Sequence, residues 1–210
     1  MSAQAYESAD GLADARARIG MWVFLASEIM FFGPVFFAYL YGRYEWPDAF
    51  FAASRSTNLL CGAVNTAVLL TSSAAVAVAL HLAQAGLRQQ ARRALDAVML
   101  LGLVFLLIKS YEYAQDWHEH LLPGPGFHLR DAANQAAAQL FYFIYFFATL
   151  LHGLHLVIGI GLVAYCHRRL DRDTGPRAVR RLEVAGLYWH FVDIIWIFLY
   201  PALYLAGRAS

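Results

Sequence analysis

The sequence predicts an all-α integral membrane protein built from five transmembrane helices. Three observations carry this. Of the 210 residues, 60% are hydrophobic and only 15% charged, with a mean hydropathy of +0.47, proportions foreign to a water-soluble domain. Five apolar runs, at about 19–42, 57–85, 94–115, 136–165 and 184–207, each reach the roughly 20 residues that a helix needs to cross a hydrocarbon core about 30 Å thick. The segments between them are short and gather nearly all the arginines.

Residues 1–18 mix acids, bases and small side chains without an apolar core, which excludes a signal or transit peptide and predicts a short cytoplasmic tail. The first span holds Glu28 and Pro34. Proline withholds a donor from the carbonyl of Met30, so a local bend is expected with the Glu28 carboxyl beside it. Residues 43–56 read as a loop, flanked by the interface-seeking rings of Tyr41, Tyr44 and Trp46. The second span is rich in small residues that let a neighbouring helix come close, and Asn65 offers a lateral hydrogen bond.

After a turn at 86–93 with Arg88, Arg92 and Arg93, the third span aligns Lys109, Glu112 and Asp116 at i, i+3 and i+7. Snorkelling of a charged helix end to the interface suits Asp116 well and Glu112 least. The loop 117–135 carries His118, His120 and His128, whose spacing matches no strong zinc pattern. The fourth span places Tyr145, Thr149 and His152 on one stripe, with His155 next to them and Gly153, Gly159 and Gly161 thinning the helix. A basic segment, 166–183, leads into the fifth span.

That fifth span, GLYWHFVDIIWIFLYPALYL from Gly186 to Leu205, places His190 and Asp193 within an apolar run. An ionisable group near the bilayer centre costs about 2.5–3.5 kcal/mol on insertion scales, so it must face a partner rather than lipid. At i and i+3 the two side chains share a helix face and can exchange a proton or meet a neighbouring helix. A purely structural pair that fixes packing, with Trp189 beside it, reads equally well. The two cysteines, Cys61 and Cys166, both lie in apolar runs and are expected as free thiols.

Counting arginines by loop gives 11 on the side of the N-terminus and 4 on the other. The positive-inside rule then puts the N-terminus in the cytoplasm and the C-terminus outside. The net charge of +1 and the lack of a basic run interleaved with aromatics argue against nucleic acid. Arginine dominates the cations, with Lys109 the only lysine, a bias that points towards a bacterial cytoplasmic membrane.

The intramembrane ionisable groups are then Glu28, Lys109, Glu112, His152, His155, His190 and Asp193. With three carboxylates against one lysine, the interior carries two surplus negative charges. Either two histidines hold protons or two carboxyls are neutral. The pair His152 and His155 has the spacing of one arm of a metal site. Three intramembrane histidines without a His-rich box do not complete one, so no metal or other cofactor is expected in this chain.

Five stretches resemble a known family: SEIMFF at Ser27–Phe32, Asn65-Thr66 followed by LLTSS, the segment around Glu112 and Tyr113, ATLLHGLHLVIG at Ala148–Gly159, and YWHFVDIIWIFLY at Tyr188–Tyr200. Along nearly its whole length the chain is similar to subunit III of the haem-copper respiratory oxidases, the cytochrome c oxidase subunit III family. The resemblance implies a non-redox subunit packed against catalytic subunit I, and against subunit II, with haem and copper in the partner. It implies a buried, carbodiimide-reactive carboxyl at Glu28, bound phospholipid, and support of proton uptake and sustained turnover during oxygen reduction. Longer members have seven spans. This chain matches from the third, which leaves the lipid cleft between the first two spans and the rest to another chain, or open. Other readings are an accessory protein of nitric oxide reductase with the same five-helix form, a free-standing transporter, and a membrane metalloenzyme using the buried acids and histidines directly.

Overall fold

The computed structural model describes residues 3–130, 132–170 and 176–208. Its helices are α1 (Ala3–Glu45), α2 (Pro47–Ser56), α3 (Leu59–Gln84), α4 (Arg88–His118), α5 (Gln135–Arg169) and α6 (Pro176–Tyr200). A π-helical turn, Pro201–Leu205, extends α6. Among the described residues there is no strand, and five helical stretches are long and apolar enough to cross a membrane: Ile19–Glu45, Leu59–Gln84, Arg88–His118, Gln135–Arg169 and Ala178–Leu205.

Helix extends further than the apolar runs indicate. Residues 3–18, expected as a tail, continue α1, because alanine, glutamate and arginine favour helix wherever water rather than lipid surrounds them. The expected loop 43–56 is in fact mostly α2. Pro47 stands at its first turn with a preset φ, Asp48 complements the helix N-terminus, and Phe50 wedges between Tyr39 and Phe141. The turn at 86–93 contracts to the residues around Gly86, whose φ of 79° suits glycine. Arg168, Arg169, Arg180 and Arg181 lie at helix ends rather than in a loop, while Arg172 and residues 209–210 lie outside the described residues. α1 runs unbroken through Pro34.

The inner faces of the bundle follow a seven-residue rhythm. α3 buries Gly62, Asn65, Leu69, Ser72, Val76, Ala79 and Ala83, and α4 buries Ala91, Leu95, Val98, Gly102, Phe105, Lys109, Glu112 and Asp116. Alternating steps of three and four residues keep one seam facing its neighbour, as in a coiled coil, and α3 packs most extensively against α4. The outward faces expose side chains such as Met30, Leu107, Leu150 and Phe198, as a lipid-facing surface does.

Without a hydrophobic drive between helices in lipid, close approach relies on small residues. A Cβ at Gly102 would stand 3.1 Å from the Trp189 indole and one at Gly159 3.2 Å from it, so these two glycines make the slot that Trp189 fills. A Cβ at Gly62 would meet Tyr200 at 2.8 Å and Tyr204 at 2.9 Å. Gly153, singled out for packing from its neighbours in sequence, has only Leu106 at 3.9 Å, so the close contact lies elsewhere.

Replacing Gly62 by alanine is expected to lower stability by about 1–3 kcal/mol through overpacking against the two tyrosines. Gly153→Ala should be neutral or slightly stabilising, because a helix gains about 0.5–1 kcal/mol from the exchange where space allows. Thermal unfolding of both variants in the same detergent checks the contrast.

Candidate functional site

Three of the buried charges, Lys109, Glu112 and Asp116, gather at one end of the bundle interior. Lys109 is 4% exposed, and its three N–H donors are all used. Nζ donates to Glu112 Oε2 at 3.0 Å, to the Tyr145 hydroxyl at 3.0 Å and to the Tyr204 hydroxyl at 2.7 Å. Tyr204 in turn donates to Glu112 Oε1 at 2.8 Å, so both carboxyl oxygens of Glu112 are held. The Lys109 ammonium also lies over the rings of Tyr113, Tyr145, Trp196 and Tyr204 at 4.5–5.8 Å, where the ring faces attract a cation.

Asp116 is not a snorkelling helix end. It is 6% exposed, on the same seam one turn beyond Glu112, and Oδ2 has no hydrogen-bond partner. The seam turns it inward, because a residue seven on from Lys109 returns to nearly the same side of the helix.

The turn that brings Tyr204 here is fastened from several sides. The Tyr39 hydroxyl donates to the Ala202 carbonyl. Arg208 donates to the carbonyls of Ser54, Tyr204, Arg55 and Thr57, and Arg55 Nε returns a bond to the Gly207 carbonyl. Thr149 braces the tyrosines: its hydroxyl donates to the Tyr145 carbonyl and accepts from the Tyr113 hydroxyl, both at 2.6 Å. Sequence spacing placed Thr149 on the right stripe but gave no sign of Tyr204, which lies 92 residues from Glu112.

A second pair joins α1 to α5. His155 Nε2 stands 3.0 Å from Glu28 Oε2, and Nδ1 is 2.8 Å from the Leu151 carbonyl. A carbonyl only accepts, so Nδ1 carries a hydrogen. The contact with Glu28 then needs one more proton, on the imidazole or on the carboxyl, and the pair holds one proton in common.

His152, three residues away, turns elsewhere. Its ring packs between Phe105 at 5.4 Å and Trp196 at 5.1 Å, fully buried, with both nitrogens unpartnered. The two histidines are therefore not an arm of one metal site, and among the described residues no group of three or more His, Cys, Asp or Glu side chains is disposed to hold a metal ion. His118, His120 and His128 line a surface pocket with Glu119 and Arg130. Both cysteines are free thiols.

A third cluster joins α3 to α6. His190 Nδ1 meets the Ser73 hydroxyl at 2.6 Å, while Asp193, one turn on and 3% exposed, lies within reach of the same hydroxyl. His190 and Asp193 share a face, as their spacing indicates, yet His190 takes its partner from another helix. Trp189 Nε1 donates to Ser72 Oγ at 3.0 Å. The lateral bond expected of Asn65 belongs instead to its neighbour: Thr66 Oγ1 accepts from Trp196 Nε1 at 3.0 Å, whereas both amide atoms of Asn65 are buried and unpartnered. Each orphaned buried group costs about 1–3 kcal/mol. No single spacing signal distinguishes Thr66 from Asn65; only the rotation of α3 against α6 does.

Chemically, the interior can bind protons and hold them. It offers carboxyls, imidazoles and phenols in contact with one another and a single fixed cation.

Residues 8–208 match the family model described as cytochrome c oxidase subunit III. Curated relatives carry the name cytochrome c oxidase subunit 3. The protein of Gallus gallus is 34% identical over 199 residues, covering 90% of this chain and 69% of its own length. That of Marchantia polymorpha is 32% identical over 200 residues, covering 90% and 68%. That of Anopheles gambiae is 30% identical over 199 residues, covering 90% and 69%.

Removing the cation while leaving its partners is expected to be the most damaging change at the site. Lys109→Met should cost about 3–5 kcal/mol, because it leaves Glu112 buried and uncompensated. Adding Glu112→Gln to that variant should recover part of the loss. Unfolding of the single and double variants in lipid nanodiscs measures both, and a double variant less stable than Lys109→Met would refute the ion-pair account.

Proposed function

This chain belongs to the cytochrome c oxidase subunit III family, and we propose that it serves as the non-redox subunit III of a respiratory haem-copper oxidase, in a complex that reduces oxygen to water and pumps protons. It packs against catalytic subunit I and against subunit II, which hold the haems and copper, and it stabilises them, binds membrane phospholipid and supports proton uptake. The match along residues 8–208, which takes in all five membrane-spanning stretches, is the observation that carries this reading.

Several features support it. Glu28, Glu112, His155 and His190 are engaged with side chains of neighbouring helices, as befits groups that hold protons and fix helix packing. Glu28 and His155 share a proton at the α1–α5 seam, where the Glu28 side chain, mostly buried but 16% exposed, is open to a hydrophobic carbodiimide arriving through lipid. The excess of arginine at the N-terminal side supports a cytoplasmic N-terminus and an external C-terminus. The same arginine usage supports a bacterial cytoplasmic membrane as the location.

Purification of the full chain in mild detergent is expected to bring down a haem- and copper-bearing partner, whose turnover without this chain begins normally and then decays. Expressed alone, the chain should carry no stoichiometric haem, iron or copper. Stoichiometric metal in the isolated chain would overturn the proposal at its centre.

A further inference from the structure

At the end of α4, His118 and Glu119 close the helix, and the chain turns back through His120, whose φ of 56° is a left-handed backbone that histidine adopts more readily than most residues. These three, with His128 and Arg130 from the following loop and Ser56 from α2, line a pocket of about 580 Å³. His120 also lines a smaller pocket of about 330 Å³, together with Trp117 and Leu122.

Contacts within the fold fix the walls. The His128 N–H donates to the His120 carbonyl at 3.3 Å, which ties the two sides of the loop, and the Leu121 N–H donates to the Asp116 carbonyl at 3.0 Å. Gln135 clasps the far side, accepting from the Leu129 N–H at 2.9 Å and donating to the Leu129 carbonyl at 2.7 Å. The Phe127 ring packs on Tyr142 with centroids 5.6 Å apart.

The chemistry of the lining selects the ligand. Three imidazoles and a guanidinium accompany one carboxylate, Glu119, while the Ser56 hydroxyl donates to the Ala52 carbonyl. In the elements that supply the lining, the adjacent charged residues are Asp116, buried on α4, and Arg55 on α2, which donates to the Gly207 carbonyl. Asp131, next to Arg130 in sequence, lies outside the described residues. Imidazoles change charge between about pH 5 and 8, and a protonated ring, like a guanidinium, offers only N–H donors. Donors that carry positive charge suit an oxyanion. A metal ion does not fit: among the described residues no three such side chains are disposed to hold one, and the Arg130 charge opposes a cation. The volume falls in the range of small-molecule sites, about 300–1,000 Å³. Depth narrows the class. Trp117, 67% exposed at the same helix end, is of the kind that marks the headgroup level of a membrane, where phosphate is the abundant anion.

We propose that this pocket binds a phosphate group, carried by a lipid headgroup or free in solution, on His118, His120, His128 and Arg130, tightly when the imidazoles are protonated and weakly when they are not. The inference goes beyond the reading of the chain as an oxidase subunit and does not rest on it.

Calorimetric titration of the full chain, stripped of phospholipid in a maltoside detergent, tests this. Inorganic phosphate, and sulfate as a probe of constant charge, should bind saturably near pH 5.5 and about ten-fold more weakly near pH 8. Both anions should shift the imidazole signals of His118, His120 and His128 in NMR spectra. The combined variant His118→Gln, His120→Asn and His128→Gln should lose the pH dependence, and Arg130→Gln should bind several-fold more weakly at both pH values. A short-chain phosphatidylglycerol that displaces phosphate at lower concentration than glycerol phosphate does would assign the site to a headgroup; equal or weaker displacement would assign it to a free phosphate. Absence of saturable binding, equal binding at both pH values, or binding of a glutamate-rich peptide in place of either anion would each overturn the proposal. The wild-type comparison stands even if a variant fails to fold. No oxidase partner is used, so the co-purification experiment is decided separately.

Discussion

The arrangement of this bundle depends on meeting one buried ammonium. Lys109 sits on the α4 seam where its apolar stretch from Ala91 to Phe105 gives way to Glu112 and Asp116, in surroundings where an isolated charge would be prohibitive. Its donors are answered by a carboxylate on its own helix, a phenol on α5 and a phenol on the turn after α6. Those demands fix more than local geometry. They set how far α6 must extend, and they give the widened turn at Pro201–Leu205 a role, because that turn delivers Tyr204. The mutual arginine contacts between the chain end and α2 then hold the turn in place.

Packing elsewhere follows a different logic. Lipid tails are as apolar as the side chains that face them, so apolar burial supplies little of the association energy and close van der Waals contact supplies much of it. Trp189 shows how this is arranged. Two glycines, on α4 and α5, leave the volume its ring occupies, and its single polar atom reaches Ser72 on α3. One side chain thereby registers three helices against a fourth. Trp196 does the same one level on, against Phe105, His152 and Thr66.

The polar groups left over are not scattered. They lie around the same two tryptophans, between a histidine that reaches the protein surface and a charged cluster that does not. The His155–Glu28 pair is separate from that row, turned about 60° round α5 from His152, and holds its proton at the seam with α1.

Much of this was legible in the residues alone. Run lengths and the scarcity of charge determine five spanning helices, because a bilayer of fixed thickness and a backbone that must bond to itself leave no other solution for such a chain. The cost of burying charge likewise requires that Glu28, Lys109, Glu112, His190 and Asp193 face partners. The identity of each partner was not legible. Residues three apart on a helix point about 60° from one another, so His152 and His155 share a stripe in the sequence yet face different helices. Asn65 and Thr66 differ by a rotation that only packing against α6 decides, and Asp116 reads as a helix end until α5 and the C-terminal turn close over it. The sequence repeats along one dimension, whereas a hydrogen bond between helices depends on rotation, register and depth together, and those are settled only when all five helices are in place.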